Sequence, residues 1–148
     1  MLDIKKPLSA VLLCVLAATA ACSKQESAAE TNADVAKAQA DKAEEVGEAL
    51  KDRADVAANT AADAASPDPD DRGDAIEDRA EAAYNVEMTK ADGDRKIAKQ
   101  ACDAMPAASQ SACNKTAEAA YETVKAQARM TLDAAKARSN AVQKQDNK

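Results

Sequence analysis

From Ala29 to Ala64 the chain sets Ala29, Ala33, Ala36, Ala40, Ala43, Gly47, Leu50, Ala54, Ala57, Ala61 and Ala64 at spacings that alternate four and three without a miss. This is a heptad seam of period 3.5, the pattern of a helix that lies lengthwise against another helix. None of the eleven positions is charged. All but Leu50 are tiny, so a partner seam can come close while each contact contributes little, because burial yields only about 25 cal/mol per Å². Val35, Val46 and Val56 lie beside the seam and widen it. The pattern predicts an acidic alanine-rich helix over residues 33–66, about 50 Å long at about 1.5 Å per residue.

Composition extends this reading to the rest of the chain. Of 148 residues about a quarter are alanine, there is no Trp, Phe or His, and the aromatics are Tyr84 and Tyr121. Such a sequence lacks the large side chains of a dense core, and high alanine with three glycines in all is the signature of long helices. The predicted class is all-α and coiled-coil-like.

Ser66-Pro67-Asp68-Pro69-Asp70-Asp71-Arg72-Gly73 interrupts the first helix, since prolines and a glycine this close together do not continue it. A turn is predicted at 67–73, with Asp74 as N-cap of the next helix. Asp68, Asp70 and Gly73 match three offsets of a calcium loop, but Arg72 occupies a ligand offset and Arg79 stands where the closing glutamate belongs, so that reading fails. Arg72-Gly73-Asp74 spells an adhesion tripeptide, which an acidic turn produces readily by chance.

The second helix, from about Asp74 to Ala104, carries Ile76, Ala80, Tyr84, Met88, Ala91, Ala98 and Cys102 on one face, which Arg95 interrupts. Gly93 weakens it by about 1 kcal/mol relative to alanine. Met105-Pro106 breaks the pattern, and Ser109 or Ser111 can cap a third helix with Cys113, Ala117, Tyr121, Val124, Ala128, Leu132, Ala135 and Val142 on one face. Both stripes place a cysteine next to the break, so folding back at Pro106 sets Cys102 opposite Cys113. The predicted unit over 74–145 is a disulfide-pinned αα-hairpin. Charge agrees: residues 75–105 carry 5 basic and 7 acidic side chains, and residues 107–148 carry 7 basic and 4 acidic.

The four cysteines divide by position. Lys5 and Lys6, the uncharged run from Ala10 to Ala21 and the small residues before Cys22 have the order of a secretory signal, predicted over 1–21. That run is too short to span a bilayer, which takes roughly 20 residues. Cys14 leaves with the signal, and Ala20-Ala21-Cys22 is similar to the lipobox of bacterial prolipoproteins, in which the cysteine is acylated and becomes residue one. The resemblance implies lipidation of Cys22, attachment to a membrane through that lipid, and, from Ser23, sorting to the outer membrane. Residues 22–32 read as a flexible polar tether. Cys102 and Cys113 remain, and in an oxidising compartment an even remainder implies a disulfide. The alternative, a metal pair, has only carboxylates to complete a four-ligand site.

Ala83-Tyr84, Lys99-Gln100-Ala101-Cys102-Asp103 and Cys113-Asn114-Lys115-Thr116-Ala117 resemble small alanine-rich envelope proteins of proteobacteria, of the TolA-like, cell-envelope-biogenesis type. The likeness covers roughly residues 75–140 and implies compartment and architecture, with no reaction to carry over. More distantly the chain resembles Braun-type outer-membrane lipoproteins, which are heptad-built and joined to peptidoglycan through a C-terminal lysine; Lys148 is the last residue here.

These features imply a non-enzymatic outer-membrane lipoprotein on the periplasmic face, a helical structural or interaction module whose partner is a second copy, another envelope protein or peptidoglycan. The alternative is a hydrophilic stress-protective helical protein. Catalysis is not expected: there is no histidine, no glycine-rich phosphate loop and no free thiol after the cysteines are assigned. No cofactor or metal is expected, nor nucleic acid at a net charge of −6. Residues 28–74, with 13 acidic against 5 basic side chains, should hold the chain off an anionic lipid surface.

Overall fold

A computed structural model describes residues 27–144, and their regular elements are all helices: α1 (Ala28–Asn59), α2 (Ala61–Ala64), α3 (Pro69–Asp103) and α4 (Ala107–Gln143). The fold is all-α, a long alanine-rich helix followed by a disulfide-pinned hairpin. The signal segment, Cys14, Cys22 and Lys148 lie outside the described residues.

α1 starts earlier than the seam predicts, within the segment read as a tether. Ser27 and Glu30 form a capping box: the Ser27 hydroxyl accepts from the Glu30 N–H at 3.3 Å, and Glu30 Oε2 accepts from the Ser27 N–H at 2.9 Å. Two donors that helix geometry would leave open are thereby satisfied, and the helix begins at Ala28. The signal was present as Ser-Ala-Ala-Glu. The Ser27 N–H first, and then the Ser27 hydroxyl, which donates to the same Oε2 at 2.8 Å, hold the Glu30 carboxyl below its ordinary value.

The turn is also shorter than predicted. Asp68, and not Asp74, caps α3, its Oδ1 accepting from the Asp70 N–H at 2.9 Å, and Pro69 occupies the first helical position, where its missing N–H costs nothing. Arg72-Gly73-Asp74 therefore lies inside a helix. Arg72 folds back to donate to the carbonyls of Ser66 and Pro67 at 3.2 and 3.1 Å. α4 begins at Ala107 without a side-chain cap, so neither Ser109 nor Ser111 serves as one. Gln110 works from inside it instead, donating to the carbonyls of Asp103 and Met105, both at 3.0 Å, and closing the end of α3.

α3 is the middle helix. α1 packs antiparallel on one side of it and α4 antiparallel on the other, and α1 and α4 make no contact with each other. Gly93 faces α1 and Cys102 is bonded to α4; nine residues at about 100° each put them half a turn apart, on opposite sides of α3. The result is an open three-helix layer. Its core runs along α3, where Ala75, Ala82, Val86, Ala91 and Cys102 are buried.

This arrangement changes the role of the predicted seam. Ala29, Ala33, Ala36, Ala40, Ala43, Gly47, Leu50, Ala54, Ala57 and Ala61 are exposed, and Ala64 is half-buried. α1 turns a second stripe toward α3, with Thr31 and Thr60 buried and Val35, Ala38, Lys42, Glu45, Ala49 and Val56 half-buried, at alternating steps of four and three from Thr31 to Ala49. That stripe prevails because its polar members find partners: Lys42 pairs with Asp94, and Glu45 with Lys96 at 3.0 Å. Gly93 lets the two helices approach. A Cβ there would lie 2.9 Å from Lys42 Cβ, so the residue that weakens α3 locally is what allows α1 to dock.

Candidate functional site

The hairpin end holds the two cysteines. Cys102, on the last turn of α3, and Cys113, on the second turn of α4, are joined by a disulfide with a Cα–Cα distance of 5.7 Å, within the usual range for such a bond. Ala104, Met105 and Pro106 make the reversal, and Cys102 is 1% exposed.

Below the disulfide the helices are held by charge and by one aromatic ring. Arg95, expected to interrupt its face, lies in the interface: it stacks 4.3 Å from the centroid of Tyr121 and donates to Glu118 and Asp92, each at 3.0 Å. Lys99 adds a pair to Glu118 at 3.4 Å. The hydrogen bond from Arg95 holds the Glu118 carboxyl below its ordinary value and raises Arg95 in turn. Farther along, Lys136 bridges Glu81 at 2.6 Å and Glu77 at 3.0 Å, which raises its ammonium. At the open end Ser139, 1% exposed, donates to the Gly73 carbonyl at 2.8 Å. Residue-type patterns missed Ser139 because it is a polar residue in the place of a core one; its seven-residue step beyond Leu132 was the available clue.

Concavities lie on both sides of α3. An open cleft of about 880 Å³ between α1 and α3 is lined by Glu45, Glu48, Asp52, Asp78, Glu81 and Asp92 together with Arg53 and Lys96. A smaller groove of about 440 Å³ between α3 and α4 is lined by Tyr84, Val124 and Leu132 among smaller residues. Neither contains histidine or a thiol. Among the described residues no group of three His, Cys, Asp or Glu is placed to hold a metal, and no helix is long and apolar enough to cross a membrane.

The shifted groups named here move toward holding their charge, as in ion pairs and caps. The described helices form a layer about 50 Å long, with an acidic cleft on one side and the uncharged seam along the outer edge of α1. No known family model, curated protein or solved structure matches the chain.

Proposed function

We propose that this chain is an outer-membrane-anchored periplasmic lipoprotein, a non-enzymatic helical module that spaces or joins components of the cell envelope. The observation that carries the reading is the closed Cys102–Cys113 pair at the hairpin end. A structural disulfide suits an oxidising compartment, and the Lys5, Lys6, apolar run and Ala20-Ala21-Cys22 start resembles an address to that compartment. The long open layer adds support, because its area is spent on exposed polar faces and an uncharged edge rather than on an enclosed pocket.

Acylation is the test. Intact mass and fatty-acid labelling of the chain expressed in a Gram-negative host are expected to place acyl groups on Cys22 and to find the protein in the outer-membrane fraction. Cys22→Ser should lose the label and release the protein to the soluble periplasm. A mature chain without lipid, or Cys102 and Cys113 found as free thiols in cells, would reject the reading.

A further inference from the structure

Along one flank of the exposed α1 seam, charged residues recur every seventh position with alternating sign: Glu30, Lys37, Glu44 and Lys51. Lys37, Glu44 and Lys51 are exposed and make no ion pair within the described residues. The α1 charges that bind α3 are others, Lys42 and Glu45. Glu30 uses Oε2 in the capping box, and Oε1 takes no part in it. The seam between the flanks faces away from α3, and its one large member, Leu50, is 45% exposed.

A flank of alternating sign complements itself when read backwards. Two α1 helices laid antiparallel, with Ala40 of each against Ala43 of the other, bring Lys37 to Glu44 and Glu30 to Lys51, and each pair occurs twice. Sliding one heptad in one direction sets Lys37 against Lys37 and Glu30 against Glu44; sliding in the other sets Glu44 against Glu44 and Lys37 against Lys51. Both shifts oppose like charges. A parallel pair gains no ion pair, because its contacts run to the opposite flank, where Asn32, Gln39 and Val46 are uncharged and Arg53 meets Ala58.

We infer that α1 pairs with α1 of a second copy in this antiparallel register, joining two three-helix layers edge to edge. The inference rests on reading the chain as an interaction module, and it names the partner. Small seam residues let the two axes approach to about 8 Å, the short end of ordinary helix packing. Their apolar contribution is modest, so the flanking charges select partner and register. The pairing is weak and falls with added salt.

Carbodiimide coupling of the full chain in mild detergent, followed by peptide mass spectrometry, tests this. Within one helix Glu30 and Lys51 stand 21 residues apart, a rise of about 32 Å. An amide between them therefore forms only between two copies. Lys51–Glu30 and Lys37–Glu44 links in a dimer are the expected result, and a monomer, or a dimer linked elsewhere, overturns the inference.

Charge reversal reads the register independently. Glu44→Lys or Lys37→Glu alone turns two attractive pairs repulsive and should raise the dimer dissociation constant about tenfold. The double reversal should restore it, and a double variant as weak as the singles overturns the pairing. A chain acylated on Cys22 that gives no Lys51–Glu30 link removes the dimer and leaves the proposed function standing; an unacylated chain that gives the link does the reverse.

Discussion

Arg79 of α3 reaches the end of α1 and donates to the Thr60 hydroxyl at 2.8 Å, while its outer nitrogen donates to the carbonyls of Ala57 and Thr60 at 3.2 and 3.1 Å. Thr60 is 6% exposed and its own hydroxyl donates to Val56 at 2.8 Å. A cation thus sits on the carbonyl end of α1, where the helix dipole favours it and the last backbone acceptors need donors. Arg79→Ala should destabilise the docked α1 by about 1–2 kcal/mol, read by urea denaturation. Amide exchange should rise around residues 57–64 first. Arg79→Lys should recover only part of the loss, since an ammonium does not reproduce the fork of a guanidinium.

The two glycines at helix centres make a matched pair of opposite sign. Gly47 has nothing within 4 Å of the place its Cβ would occupy, whereas at Gly93 that atom would meet Lys42 Cβ at 2.9 Å. Gly47→Ala should therefore raise stability by up to about 1 kcal/mol through helix propensity. Gly93→Ala should lower it despite the same propensity gain, because α1 must lift away from α3. Thermal melts of the two variants check both signs.

Removal of the disulfide bears on the hairpin. The cysteines stand 11 positions apart in sequence, and for a loop of that size the chain-entropy model assigns the bond about 3 kcal/mol. Reduction, or Cys102→Ser with Cys113→Ser, should lower the melting temperature and increase amide exchange at the turn through residues 104–106. The α1–α3 contact, which lies on the other side of α3, should weaken only as global stability falls.

Acid should loosen the hairpin through Glu118. Arg95 holds its folded-state value below the ordinary 4.5, so the stabilisation is present above that value and is lost as pH falls through the folded one. Lys136 has the opposite sign: raised above its ordinary 10.5 by Glu81 and Glu77, its contribution is present below 10.5 and is lost as pH rises through the folded value. Glu118→Gln should flatten the acid limb of a stability–pH profile and leave the alkaline limb unchanged.

The helices and the hairpin were legible from particular residues. Proline and glycine near 66–73 and Pro106 mark the breaks, and the facing stripes at Cys102 and Cys113 mark the fold-back. The starts were less so. Asp74 has the right residue type for a cap, but Asp68 directly precedes a proline at the first helical position, and that geometry decides. Ser27 sits in a polar run that reads as a tether, although Glu30 three residues on completes a capping box with it.

For the described residues, sequence alone determined an all-α chain, its long helices and the pairing that closes the hairpin, because helix propensity, breaking residues and cysteine count act locally or by simple arithmetic. Only the tertiary structure decided which face of α1 goes inward. Two stripes run along that helix, and the uncharged alanine seam has the more regular heptad spacing. The stripe with Lys42, Glu45 and Thr60 is the one turned to α3 because Asp94, Lys96 and Arg79 satisfy these polar groups there and Gly93 opens room for Lys42. Methyl groups alone bury too little area to outweigh those contacts, and the alanine seam is left on the outside.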